Sequence, residues 1–201
     1  MQFSYIHPCH RRKSIALMSV SKESNITVQK TLTTSFGCST ISPLEADTFV
    51  TSTANHLRHV RTITVQGKEG DIQHRLLPDN TYTVYDSTCT YLPSTNTLVF
   101  VDKYQHTVYM CSITSGEGHV IKHDIIQRPV GVCAGPAGTV FVCSEDTDSV
   151  VQLSAGGKIL MSHDVGMKFP KAVSLSSDGT RLAMSNSHTE NEKVKLFEVS
   201  S

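Results

Sequence analysis

Apolar residues in this chain come in short bursts separated by polar turns, and the bursts repeat one phrase. It reads DTFVTS, NTLVFVD, GTVFVCS and GTRLAMS, each built on a threonine: Thr48, Thr97, Thr139 and Thr180. The threonines stand 49, 42 and 41 residues apart. Short runs rich in Val, Phe and Thr, bounded by Gly, Asp or Pro, read as β-strands. In the last two copies Pro129 or Pro170 opens an earlier strand, VGVCA or KAVSL, and the turn GPAG or SSDG leads into the anchored one. Those turns supply the Gly or Asp that tight hairpins require. Downstream come third strands, HVRTITVQ, HTVYMCSI, DSVVQLSA and EKVKLFEV, then fourth strands, DIQHRLL, HVIKHDI and KILMSHDV.

Four short strands per 41–49 residues predict an all-β chain of about four β-propeller blades. One small sheet cannot bury both faces alone, whereas stacked blades bury face against face. Strands every 8–12 residues would also suit a β-sandwich. The return of the whole phrase favours the propeller. Second strands are expected around Val50, Val99, Phe141 and Leu182. The blades are expected over residues 33–80, 81–125 and 126–166, with a last incomplete blade over 167–201. SKESNITVQ from Ser21 resembles GKEGDIQHR from Gly67, which makes residues 14–32 the rear half of an earlier blade. Residues 1–13 are expected to be an N-terminal tail, with disorder the expectation at such a terminus.

The stretch RPVGVCAGPAGTVFVCSEDTDSVVQL resembles an NHL repeat, and KVKLFEV resembles the last strand of the C-terminal propellers of tripartite-motif (TRIM) proteins of the invertebrate type. The resemblance covers roughly residues 21–201. It implies an incomplete six-bladed ring, whose closing blade borrows its fourth strand from the N-terminal end. The family often places Asp just after the second strand; Asp102 fits, while Ser144 and Asn186 depart from it. Nothing in the chain matches a RING, a B-box or a coiled coil, so any ubiquitin-ligase activity would lie in upstream domains. The resemblance implies a non-catalytic, substrate- or partner-recruiting propeller.

Charge and cysteine usage narrow the chemistry. Lys plus Arg and Asp plus Glu number 18 each, which is not the basic excess of a dedicated nucleic-acid binder. The six cysteines, at 9, 38, 89, 111, 133 and 143, form no CxxC pair and are expected to be reduced thiols in strands. The chain has neither a secretory signal pattern nor a long apolar run, so a cytoplasmic location without membrane insertion is expected. His7, Cys9 and His10 lack further ligands at metal-site spacing, and EDTDS at 145–149 lacks the Gly and distant Glu of a calcium loop. No GxSxG, Walker or HExxH motif occurs. No metal, no cofactor and no catalytic residue is therefore expected.

That leaves loops on a rigid scaffold as the seat of function. The loops between second and third strands hold His56, Arg58, Lys103, Tyr104, His106, Glu145, Asp146, Asp148, His188 and Glu190. Repeated connectivity should open them all on one face, where a protein or peptide ligand is the expected partner. Two alternatives stay open. The basic HLRHVRT at 56–62 allows an RNA-binding face, although the corresponding loops elsewhere are mixed in charge. A propeller hydrolase is the other, with Asp102 the one acidic residue among the strand ends Ser52, Asp102, Ser144 and Asn186.

Overall fold

Hairpins joined by short turns pair antiparallel, and every strand ladder described in the chain is of that kind. The computed structural model describes residues 5–8, 13–21, 23, 25–54, 60–72, 88–186 and 192–199. Residues 1–74 form one compact unit and residues 75–201 another.

Among its described residues the first unit holds two sheets. One orders β1 (Tyr5–Pro8), β2 (Ser14–Val20) and β3 (Ile26–Thr33); the other orders β4 (Gly37–Glu45), β5 (Thr48–Ala54), β6 (Val60–Thr64) and β7 (Glu69–Asp71). Ile15 and Leu17 of β2 and Leu32 of β3 pack with Phe36, Cys38, Phe49 and Ile63 in a common core. Two expectations change here. The tail expected over residues 1–13 carries β1, paired with β2 from Tyr5↔Met18 to Pro8↔Ile15. An open edge of β2 offers unpaired backbone groups, and a neighbouring strand satisfies them. The fourth strand expected at DIQHRLL begins earlier, at Glu69. The turn before it is tight: Gly67 has φ +91°, and its N–H donates to the Thr64 carbonyl at 2.8 Å.

The described residues of the second unit hold three sheets. The first orders β8 (Cys89–Leu92), β9 (Thr97–Asp102), β10 (Thr107–Ser112) and β11 (Gly118–Ile121). The second orders β12 (Pro129–Ala134), β13 (Val140–Ser144), β14 (Ser149–Leu153) and β15 (Ile159–Asp164). The third orders β16 (Pro170–Leu175), β17 (Arg181–Asn186) and β18 (Val194–Glu198). Val50, Val99, Phe141 and Leu182 lie on the second strands β5, β9, β13 and β17.

The repeated threonine now has a backbone reason. The residue before it, Asn96, Gly138 or Gly179, has φ of 49°, 76° or 74°. Gly adopts that left-handed conformation without steric cost, and Asn tolerates it better than other residues. The middle sheet shows why its strands read as continuous apolar runs. Val140 and Val142 face the β8–β11 sheet in one core, with Val99, Val101, Val108 and Met110. Phe141 and Cys143 face the β16–β18 sheet in another, with Val173, Leu182 and Met184. A strand buried on both faces needs an apolar side chain at every position.

Innermost strands come close together. A β-carbon on Gly131 of β12 would meet the Lys171 carbonyl oxygen at 2.4 Å. The Thr88 hydroxyl donates to the Val130 carbonyl, tying the approach to β8 onto β12. The turns after the first strands also meet: Ser94 lies under Gly138, and Pro136 beside Gly179.

Candidate functional site: a stitched loop face

Register decides which loops share an end of the second unit. Asp102 pairs with Thr107 and Ser144 with Ser149, so the loops 103–106 and 145–148 leave the same ends of β9 and β13. Pro129 pairs with Ser144 and Pro170 with Asn186, which brings the entry segments 122–128 and 165–169 to that end as well.

The strand-end positions do different work in successive sheets. Asp102 is buried and accepts the N–H groups of Tyr104 and Gln105, each at 3.0 Å, which shapes its own loop. Ser144 instead serves its neighbour. Its hydroxyl accepts the Gln127 N–H at 2.8 Å and lies 3.0 Å from the Ile125 carbonyl. Thr147 Oγ1 donates to Ser144 Oγ at 2.7 Å, binding the loop to the same point. The serine thus anchors the entry segment rather than closing an Asx turn.

One stitch recurs between loop and entry segment. His106 Nδ1 accepts the Arg128 N–H at 3.0 Å, and Asp148 Oδ1 accepts the Phe169 N–H at 2.9 Å. His106 and Asp148 stand nine residues after Thr97 and Thr139, with φ of 52° and 53°. Arg128 and Phe169 directly precede Pro129 and Pro170, with φ of 49° and 54°. Left-handed backbone is uncommon for a bulky residue and marks a position held by its surroundings.

Charge is arranged in pairs. Glu145 Oε2 lies 3.6 Å from Lys103 Nζ and 3.2 Å from Arg128 Nη2. Arg128 Nη1 also reaches Asp146 Oδ1 at 3.1 Å. Asp148 pairs with Lys168. Partial burial of Asp148 works to raise its pKa, but the hydrogen bonds from Lys168 and the Phe169 N–H outweigh it and hold the carboxyl below its ordinary value. Lys168 is raised in turn by its hydrogen bond to Asp148.

The loop residues singled out in the sequence therefore divide. Lys103 and Glu145 are drawn inward, with side chains only 13% and 7% exposed, and join neighbouring sheets. His106 and Asp148 are stitching groups. Asp146 stays exposed, and Tyr104 stands 54% exposed. His56, Arg58, His188 and Glu190 lie outside the described residues, as do Cys9 and His10. Sequence reasoning passed over Arg128, Lys168 and Phe169, which come from the entry segments. The repeated prolines were the available signal, since each restricts the residue before it, although Arg128 and Phe169 take left-handed backbone rather than the extended form a following proline favours.

Among the described residues no group of three or more His, Cys, Asp and Glu could hold a metal ion. The described thiols, Cys38, Cys89, Cys111, Cys133 and Cys143, form no disulfides with one another and lie in strands. Burial pushes Cys111 up to about 11 and Cys133 up to about 12, away from the thiolate a nucleophile needs. No helix among the described residues is long and apolar enough to cross a membrane.

No protein-family model matches the sequence, and no curated protein matches it. Solved structures do. A chain of a nidogen/laminin complex superposes with a TM-score of 0.66 at 12% identity, over 96% of this chain and 74% of that one. A functionally unknown protein from Desulfotomaculum acetoxidans gives 0.64 at 14% identity, over 97% and 62%. Streptogramin B lyase gives 0.60 at 15% identity, over 94% and 63%. This chain thus spans less than two thirds of the latter two. Identities this low speak to fold alone, and the fold is an all-β propeller.

Proposed function

We propose that the protein is a non-catalytic interaction platform that takes a protein or peptide ligand on the stitched loop face. The observation that carries this reading is the pair of exposed aromatic rings on that face, Tyr104 at 54% and Phe169 at 38% exposure, on segments held by the cross-sheet bonds of His106 and Asp148. Aromatic residues and Arg dominate binding energy at interfaces, and a preorganised loop loses little entropy on binding. The guanidinium of Arg128 lies on the same face, half-open to solvent.

The charge pattern supports protein over RNA. Lys103, Arg128 and Lys168 each lie against a carboxylate of the same face. A phosphate backbone would have to displace those carboxylates and would meet their repulsion. Recruitment of a partner or substrate, as in the propeller of a TRIM-like ubiquitin ligase, is the finer form of this proposal and rests on the resemblance of the repeats.

A photo-crosslinking residue placed at Tyr104 should capture a partner that one placed at Met161, on the outer strand β15, does not. Tyr104→Ala with Phe169→Ala should then weaken that complex by about thirtyfold or more, the loss of about 2 kcal/mol typical of a hot spot. A partner that survives this double change, but is lost on substitution of exposed β15 residues, would place the binding face elsewhere.

A further inference from the structure

The sheets of the second unit stack through equivalent positions. Val99, Val101 and Val108 of the β8–β11 sheet are covered by the β12–β15 sheet. Phe141, Cys143 and Val150 of the β12–β15 sheet are covered by the β16–β18 sheet. Register carries the equivalence one step further. Pro129↔Ser144 matches Pro170↔Asn186, so Ala183 and Ser185 of β17 take the places of Phe141 and Cys143. Ser185 pairs with Val194 as Cys143 pairs with Val150, so Val194 takes the place of Val150. The covered position of one sheet is the open position of the next: Val194 is 74% exposed and Leu196 is 70% exposed.

That open face has an uneven relief. Antiparallel partners point the same way, so Ala172, Ser174, Ala183, Ser185, Val194 and Leu196 share it, with the exposed pair Arg181 and Glu198 at one end. Beyond that charged end, the β16–β17 side is lined by Ala and Ser, and the β18 side carries the two branched aliphatics. Where the previous sheet fills this layer with Phe141, the third sheet leaves the volume of an alanine. The face is thus low on one side and raised on the other.

From this we infer that the outer face of the β16–β18 sheet is a self-association surface, which takes the same face of a second copy in a two-fold pair. A two-fold axis lying in the contact plane, parallel to the strands, turns the two faces toward each other and lays the raised β18 side of each copy over the low β16–β17 side of the other. Val194 and Leu196 then enter the space left above Ala183 and Ser185, and the contact closes at two copies because both use the same patch. The pairing continues the sheet-on-sheet stack already present in the unit. Three strands about 4.8 Å apart, with five residues of about 3.3 Å each, cover a patch of roughly 14 by 17 Å. That is well below the ~800 Å² per partner of a standard interface, so the pair is weak and concentration-dependent.

Sedimentation equilibrium of the full chain across the micromolar range tests this. The expected result is a reversible monomer–dimer equilibrium. Leu196→Glu, on an exposed site, should weaken it by about tenfold or more, because it buries a charge in the contact. Ala183→Trp, which fills the low side, should weaken it similarly, and Met161→Glu on β15 should not. Far-UV circular dichroism and a thermal melt confirm that each variant keeps its fold. A monomer at every concentration, a dimer indifferent to Leu196→Glu, or growth beyond two copies would each overturn the inference. The surface shares no residue with the loop face, so the loss of one reading leaves the other standing.

Discussion

Gly131→Ala tests how the inner strands are held, and through them the loop face. The added β-carbon would stand 2.4 Å from the Lys171 carbonyl oxygen, 3.1 Å from its carbonyl carbon and 3.2 Å from the Ala172 Cα. All three atoms are backbone of β16, so no side chain can swing aside. Ordinary contact begins at 3.4 Å, so β12 and β16 must part by about 1.0 Å, the difference 3.4 − 2.4. Overpacking of this kind costs about 1–3 kcal/mol, and the rigid neighbour puts the cost near the upper end. The stiffer unfolded chain returns about 0.4–1 kcal/mol. The net loss is about 2 kcal/mol, or a fall of roughly 4–8 °C in Tm for a chain of this size.

Gly156 is the control: a β-carbon added there would meet nothing within 4 Å and its φ is not positive, so Gly156→Ala should be neutral or slightly stabilising. Urea and thermal melts followed by far-UV circular dichroism give both values; with no Trp in the chain, tyrosine fluorescence is the second probe. Parting β12 from β16 also moves Arg128 and Phe169, which enter those strands, so the Gly131 variant should lose ligand affinity as well as stability. A Gly131→Ala protein within about 0.5 kcal/mol of the wild type, the usual range of an innocuous surface change, would refute the close approach.

The remaining predictions concern the face and its chemistry. Glu145→Gln should cost about 2 kcal/mol, below the usual 3–5 for a broken buried pair because Arg128 can reach water; a double-mutant cycle with Lys103→Met should show coupling, and zero coupling would remove the ion pair. His106→Ala should cost about 1 kcal/mol in urea denaturation, while His106→Asp, which copies the Asp148 stitch, should recover most of it. Asp178 accepts hydrogen bonds from the Ser176 hydroxyl, the Thr180 N–H and the Thr180 hydroxyl, which lower it from 3.8 to about 2. Its folded value lies below its unfolded one, so its contribution to stability is complete above pH ~4 and is lost as pH falls toward about 2. A carboxyl NMR titration with a midpoint near the ordinary value would contradict this. Cys111 and Cys133 should resist thiol reagents at mildly alkaline pH until urea unfolds the chain, and rapid labelling of the native protein would count against their burial.

Local chemistry was legible in the residues alone. A tight turn needs a left-handed residue, and the chain writes Asn96, Gly138 and Gly179 before its threonines. Pro129 and Pro170 open strands because proline fixes φ and lacks the N–H that a preceding pairing would use. A strand covered on both faces must be apolar at every covered position, as LVFV and VFVC are. The all-β repeat follows from these signals, because each depends on residues a few positions apart.

Only the tertiary structure decided what the loops do. Lys103 meets Glu145, His106 meets Arg128 and Asp148 meets Phe169 across 42, 22 and 21 residues, and stacking of the sheets sets these distances. Nothing in KYQH or EDTDS distinguishes a lysine drawn inward from one left in water. Nor does the composition of β12 reveal that Gly131 must stay bare, because the obstructing carbonyl belongs to a strand about forty residues later. Hairpin chemistry acts along the chain; burial, charge pairing and close approach depend on which sheet covers which, and that is settled only when the sheets pack.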